Sequence, residues 1–119
     1  NILIFNNKIY GLTKGQYSPT SPKGLKTKTS PDATIEPPFI PGELAMGAQG
    51  TFFARAIDTE PKQMPDIFIK AARHDGTSVV EILQNCVIFN NKIHQEIILR
   101  TASPKSINMR MFNENKSTG

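Results

Sequence analysis

Tryptophan is absent from this chain of 119 residues and cysteine occurs once, so no intrachain disulfide can close. That excludes the small secreted disulfide scaffold. Long hydrophobic runs are missing as well. The apolar stretch at the start, Ile2-Leu3-Ile4-Phe5, falls far short of the roughly 18 residues of a membrane span, and no basic segment precedes it as in a secretory signal. The expected setting is the cytoplasm, without a membrane. Acid, too, is scarce where it would matter: residues 1–31 hold five lysines (Lys8, Lys14, Lys23, Lys26, Lys28) and no Asp or Glu, while the other 88 residues hold nine bases and ten acids. What is present fits a folded chain, with 38% hydrophobic and 20% charged residues, and the length suits one domain or a piece of one. Asn1 stands where a start methionine would, and the polar run Asn113 to Gly119 has no clear stop. The expectation is a section of a longer protein.

The positive charge therefore sits beside one glycine- and proline-punctuated segment, and three readings stay open. It is a solvated lysine-rich loop, a polyanion surface, or a pocket where lysines and backbone N–H groups meet a phosphorylated small molecule. Only Phe5, Tyr10 and Tyr17 stand near it to stack bases and no nucleic-acid module pattern is present, so nucleic acid is not an expected partner.

Ile2 to Phe5, ended by Asn6-Asn7, reads as a strand buried on both faces, as in a parallel sheet. Asn7 to Pro41 reads as a long irregular segment of the kind that is functional or disordered. Pro41-Gly42-Glu43-Leu44 opens a short helix through about Gln49, with proline near the first turn and an acid at its positive end. Gly50 closes it and Thr51 to Ile57 reads as a second strand. Thr59-Glu60-Pro61 is a helix start with Thr59 as cap. Met64, Ile67, Phe68, Ala71 and Ala72 follow at the period of a helix packed on one face. After Gly76, Ser78 to Leu83 is a third strand, and strand–helix–strand in this order implies parallel pairing. The hexapeptide Ile4-Phe5-Asn6-Asn7-Lys8-Ile9 recurs as Ile88-Phe89-Asn90-Asn91-Lys92-Ile93. Two copies make no repeat architecture, and no chemistry is assigned to the second.

The informative segment is Asn6 to Gln16, directly after the first strand. Ligands of open α/β sheets sit at the carboxyl ends of strands. Mg²⁺ takes six oxygens and commonly shares phosphate oxygens with protein. Asn7 offers a neutral side-chain oxygen and Ile9 a carbonyl two residues on. Gly11 and Gly15 permit close backbone approach, Thr13 adds a hydroxyl and Lys14 a cation. Spacing alone leaves this a diphosphate loop or an Asn-initiated turn followed by a flexible loop.

Ile4-Phe5-Asn6-Asn7-Lys8-Ile9-Tyr10-Gly11-Leu12-Thr13-Lys14-Gly15-Gln16-Tyr17-Ser18-Pro19-Thr20-Ser21 resembles the thiamine-diphosphate loop of the β subunits of 2-oxoacid:ferredoxin oxidoreductases, and Leu12 to Gln16 most resembles the 2-oxoglutarate branch. Gly47 to Arg55 and Val79 to Asn90 agree in order, so the resemblance covers about residues 1–94, leaving 95–119 as a weakly ordered tail of residues 1–119. It implies the C-terminal part of a doubly wound α/β thiamine-diphosphate-binding domain. The implied enzyme decarboxylates a 2-oxoacid on the cofactor, passes electrons through an iron–sulfur cluster to ferredoxin and the acyl group to coenzyme A, and includes an α subunit. By position, Asn7 and the Ile9 carbonyl would ligate Mg²⁺, and Gly11, Leu12, Thr13 and Lys14 would bind the cofactor. Cys86 would be one thiolate of a [4Fe–4S] cluster in the full-length protein only, since a cluster takes four cysteines. Lys14 and Lys62 match basic positions on the electron-acceptor side. The family's first Mg²⁺ ligand, an aspartate in a Gly-Asp-Gly motif, would lie before Asn1, so the isolated chain is expected to be inactive. The alternative from another class is a non-enzymatic anion-binding or assembly module using the lysine-rich loop. His74, in the last turn of its helix, is expected to complement the helix dipole.

Overall fold

The structure, a computed structural model, describes residues 1–91, 93–94 and 110–111. Its elements in chain order are β1 (Ile2–Asn6), β2 (Ile9–Tyr10), β3 (Gln16–Tyr17), α1 (Pro41–Gly47), β4 (Phe52–Ile57), α2 (Met64–Arg73), β5 (Ser78–Leu83) and β6 (Arg110–Met111). The main sheet has the order β1-β5-β4-β6, parallel except for β6, while β2 and β3 form a separate hairpin. Register places Ile4, Glu81 and Arg55 side by side across three strands.

Side chains alternate faces along a strand, and each face of this sheet has its own cover. Phe52, Ala54, Ala56, Val80 and Ile82 point to one face and pack on Ile67 and Ala71 of α2, with Met64 and Phe68 at the margin. A fully buried aliphatic side chain of this kind contributes roughly 1.5–3 kcal/mol. On the opposite face α1 lies over Phe53 and has Gly42 there: a Cβ on Gly42 would stand 2.8 Å from the Phe53 ring, so a side chain at this position would require the ring to move. Helices on opposite faces follow from the path. The chain passes from β1 beyond β5 to β4 over one face and returns to β5 under the other, which keeps both crossovers of one hand. The result is the doubly wound α/β arrangement that the sequence implies.

Several boundaries differ from the sequence reading. The second helix starts at Met64 with Gln63 as its cap residue and no side-chain capping bond; Pro65 takes the first turn, so Thr59 is not the cap. Residues 60–63 form a turn of their own, in which Gln63 Nε2 donates to Glu60 Oε2 at 2.8 Å. Ala72 is exposed, and His74 lies just beyond the helix in extended conformation, its Nε2 2.6 Å from Thr51 Oγ1. The first helix ends at Gly47 rather than near Gln49. The segment read as irregular contains the β2–β3 hairpin. The first strand is not buried on both faces: among the described residues β1 pairs on one side only, with β5, and Ile2, Leu3 and Phe5 are exposed, Phe5 at 64%. The central strand β5, flanked on both sides, is the one buried at all six positions. The expectation of a weakly ordered tail over 95–119 lies outside the described residues, apart from the two that form β6. Among the described residues no helix is long and apolar enough to cross a membrane.

Candidate functional site

β1 ends at the carboxyl edge of the sheet in Asn6, and the chain turns sharply there. Lys8 holds φ 56°, a left-handed conformation that disfavours any residue with a Cβ by roughly 1–2 kcal/mol. The turn is held from several sides. Lys8 N–H donates to Asn6 Oδ1 at 3.0 Å and Ile9 N–H to Asn7 Oδ1 at 3.1 Å. Thr20 Oγ1 donates to Asn6 Oδ1 at 2.8 Å, and Ser21 Oγ to the Lys8 carbonyl at 2.6 Å. Asn90, itself buried, donates from Nδ2 to the carbonyls of Asn7 at 3.0 Å and Lys8 at 3.3 Å.

Asn6 and Asn7 line a cleft of about 420 Å³ together with Ile4, Ile9, Tyr10 and Thr20 among others. Asn7 Oδ1 accepts one bond and keeps a second lone pair. Beyond it, Gly11 to Lys14 form the tip of the β2–β3 hairpin, closed by Lys14 N–H to the Gly11 carbonyl at 3.0 Å and Gly15 N–H to the Tyr10 carbonyl at 3.1 Å. Thr13 Oγ1 donates to the same Tyr10 carbonyl at 3.2 Å. Leu12 is fully exposed, and Thr13 and Lys14 also face solvent. Gly11, Leu12 and Thr13 lie next to the cleft in sequence but not among its lining residues. Their backbone N–H groups make no bond to another described residue, and successive free N–H groups are what an anion requires of a backbone. Gly15 is needed where it stands: it has φ 100°, and a Cβ there would meet the Phe89 ring at 3.1 Å.

Phe89 and Asn90 belong to the second copy of the repeated hexapeptide. Its described residues form no strand like β1. It follows β5, folds back through a turn in which Asn90 N–H donates to the Cys86 carbonyl at 2.9 Å, and packs on the first copy. The repeated letters therefore mark two halves of one contact. Cys86 is a free, half-buried thiol in this turn, and Lys62 is exposed in the turn before α2.

Beneath the turn lies a group that the sequence reading passed over. Glu81, 1% exposed in the middle of β5, accepts Asn6 Nδ2 on Oε1 at 2.8 Å and both Nε and Nη2 of Arg55 on Oε2 at 2.8 Å. The signal was available: a carboxylate inside Ser78-Val79-Val80-Glu81-Ile82-Leu83 interrupts an apolar strand. Lys8 stands close by. Burial holds its ammonium below the ordinary lysine value, Glu81 opposing this and Arg55 adding to it.

His94 closes the cluster from the far side, with Nε2 3.1 Å from the Asn6 carbonyl. A carbonyl only accepts, so Nε2 carries the proton. Nδ1 is buried with no hydrogen-bond partner among the described residues. Burial lowers the His94 pKa from the usual value of about 6.5; the Asn6 bond raises it, Lys8 lowers it, and Glu81 and Asp58 raise it. The unfolded chain then binds the proton more readily than the folded one, and stability falls as pH drops below about 6.5. Unfolding measured from pH 7.5 to 5 should show this acid-side loss in the wild type and a flatter profile in His94→Gln.

The donor set can be tested against the groups that the sequence implies. Mg²⁺ prefers hard oxygens in octahedral geometry, and this edge offers the Asn7 amide oxygen and main-chain carbonyls, all neutral. Among the described residues no three His, Cys, Asp or Glu side chains converge as a metal site. The residues would fit part of a Mg²⁺–diphosphate site, one in which the negative charge would have to come from the diphosphate and from groups other than these. For an iron–sulfur cluster they offer one thiolate, Cys86, where a cluster takes four, so these residues cannot hold one by themselves.

Comparison with known proteins places the fold in a family. Residues 1–82 match the family model described as thiamine pyrophosphate enzyme, C-terminal TPP binding domain. The chain is 46% identical over 109 residues to the 2-oxoglutarate oxidoreductase subunit KorB of Mycobacterium tuberculosis, covering 92% of this chain and 29% of that one. It is 40% identical over 84 residues to the 2-oxoglutarate synthase subunit KorB of Archaeoglobus fulgidus, covering 71% and 32%. A solved structure of the 2-oxoglutarate:ferredoxin oxidoreductase from Magnetococcus marinus, with 2-oxoglutarate, coenzyme A and succinyl-CoA bound, superposes with a TM-score of 0.71 at 36% identity, covering 75% of this chain and 31% of that chain. The chain thus spans about a third of the length of the relatives it matches. With the family model covering residues 1–82 and a shared parallel sheet beneath the matched segment, this chain belongs to the thiamine pyrophosphate enzymes and carries C-terminal TPP-binding-domain sequence of the 2-oxoacid:ferredoxin oxidoreductase β-subunit type.

Proposed function

We propose that this chain supplies the Mg²⁺–diphosphate side of a thiamine diphosphate site in a cytoplasmic 2-oxoacid:ferredoxin oxidoreductase, acting on 2-oxoglutarate as the names of its relatives suggest. The observation that carries the reading is Asn7, a residue lining a cleft at the carboxyl edge of the sheet, next to a hairpin tip with free backbone N–H groups. In this reading Asn7 Oδ1 and the Ile9 carbonyl contribute oxygens to the metal. The N–H groups of Gly11, Leu12 and Thr13 face the diphosphate, and Lys14 adds positive charge at the tip. Bound thiamine diphosphate supplies the carbanion chemistry and electron sink for oxidative decarboxylation. The chain's own part is to bind and orient, its buried turn holding the amide oxygen in place.

Partners follow from the same reading. An α subunit and other segments of the enzyme supply the substrate groups, coenzyme A takes the acyl group, and ferredoxin takes the electrons, with Lys14 and Lys62 exposed for an acidic protein surface. Cys86 serves as one cluster ligand beside three cysteines from elsewhere.

The test is thiamine diphosphate binding by the assembled enzyme in the presence of Mg²⁺, read by titration calorimetry. Asn7→Ala is expected to weaken binding by at least about tenfold, the scale of losing or misplacing a metal-site group. Salt-sensitive binding of any polyanion, unchanged by Asn7→Ala, would instead favour an anion-binding module built on Lys23, Lys26 and Lys28.

A further inference from the structure

Among the described residues, Glu81 is the one Asp, Glu, Lys or Arg that is buried. A carboxylate in the middle of a parallel strand costs several kcal/mol to desolvate, and a well-packed apolar residue is commonly as stable or more so. Stability therefore gives no reason for a charge here, whereas geometry gives one. A carboxylate can only accept hydrogen bonds. With Arg55 on Oε2, the remaining oxygen Oε1 faces Asn6 and forces its carboxamide to present Nδ2. Asn6 Oδ1 is thereby turned the other way, onto the Lys8 N–H and the Thr20 hydroxyl. The Lys8 bond closes a turn around Asn7 that ends at the left-handed Lys8. Neither Glu81 nor Arg55 lines the cleft, while Asn6 and Asn7 both do.

Resting on the reading of Asn7 as a cofactor oxygen, we propose that Glu81, oriented by Arg55, is a positioning residue that acts through Asn6 to fix the turn presenting Asn7 to the Mg²⁺–diphosphate group. The buried ion pair sets which way one amide is rotated, and that amide sets the shape of the strand end.

Glu81→Gln puts this to the test because an amide has one accepting and one donating end. If Gln Oε1 faces Asn6, its NH₂ confronts the Arg55 guanidinium; if Oε1 faces Arg55, its NH₂ confronts Asn6 Nδ2 and reverses Asn6. In the assembled enzyme at fixed thiamine diphosphate, a Mg²⁺ titration followed by near-ultraviolet circular dichroism should show Glu81→Gln needing about tenfold more Mg²⁺, as outer-shell changes at metal sites do. The far-ultraviolet spectrum should stay unchanged. Adding Arg55→Met removes the competing cation and frees Gln Oε1 to accept from Asn6, so the double variant should return to within about threefold of wild type, given how strongly contacting residues couple. Wild-type affinity in Glu81→Gln overturns the proposal, and so does a double variant as weak as the single. If Glu81→Gln fails to assemble, Asn6→Ala takes the same titration, since it leaves the ion pair whole and cuts its link to the turn. A tenfold loss there upholds the proposal and wild-type affinity overturns it. Asn7→Ala, run alongside, separates the two levels. Normal binding by Asn7→Ala removes the cofactor reading itself, whereas loss in Asn7→Ala with none in the Glu81 and Asn6 variants removes only the positioning role.

Discussion

Phe52→Ala is expected to lower the stability of the fold by about 3–5 kcal/mol, the usual cost of emptying an aromatic core position. Phe52 is 1% exposed and heads the cluster that joins β4 and β5 to α2. Its ring also lies 5.5 Å from that of His74, centroid to centroid. The neighbours most able to collapse into the gap are Ala54, Ala71 and Ile67, two of which have no side chain beyond Cβ, so little of the cavity should refill. Urea unfolding followed by far-ultraviolet circular dichroism should show the midpoint falling with the slope unchanged, since the surface exposed on unfolding stays nearly the same. A loss below about 1 kcal/mol would mean that α2 does not pack on the sheet as described, because only surface positions are that tolerant.

That core is also the part of the fold most legible in the amino-acid sequence, and the reason is periodicity. Met64, Ile67, Phe68 and Ala71 fall on one face of a helix, and β4 and β5 on either side of it are mainly apolar, broken by Arg55 and Glu81. Boundaries were less legible. Thr59-Glu60-Pro61 has the letters of a helix start, yet the Glu60–Gln63 turn spends them and the helix waits for Pro65. The burial of β1 was not legible at all. Ile2 to Phe5 reads the same whether it has one neighbour or two, and the pattern of a strand does not encode what lies beside it. The hexapeptide shared by residues 4–9 and 88–93 shows the same limit. The first copy pairs with β5 as a strand, and the second, leaving β5, turns back at Cys86 and Asn90. Identical local propensity yields two structures because tertiary context decides.

For the site, the sequence located the turn and its chemistry, since an asparagine pair after an apolar strand and a glycine-spaced loop is a local pattern. What holds the turn is not local. Asn6 meets Glu81 and the Asn6 carbonyl meets His94, 75 and 88 residues away. Asn90 reaches back to the carbonyl of Asn7 across 83 residues. Such partners become visible only once register is known. Register puts Ile4, Glu81 and Arg55 in one row and leaves Asn6, two residues along β1, diagonal to Glu81 on the same face.

The second large effect is expected at Arg55. Arg55→Met keeps the length of the apolar stem but removes the cation from a carboxylate that is almost wholly buried, with side-chain exposures of 33% for Arg55 and 2% for Glu81. Breaking a buried pair from one side costs about 3–5 kcal/mol, and the partial exposure of Arg55 puts the expected loss at about 2–3 kcal/mol. The loss comes chiefly from the charge left behind, not from the contact removed. In a Glu81→Gln background, where that charge is gone and Asn6 keeps an acceptor, Arg55→Met should cost under about 1 kcal/mol, so the double-mutant cycle should show coupling well above the scatter of independent sites. Denaturant unfolding of the four chains checks this. Equal costs in both backgrounds would mean that the two side chains do not act as a unit. If the double variant also unfolds at the wild-type midpoint, the sheet tolerates a neutral pair at positions 55 and 81 about as well as the charged one. Retaining an ion pair there then calls for a reason other than stability. Orientation of Asn6, and through it of Asn7, is the reason that the bonding pattern offers.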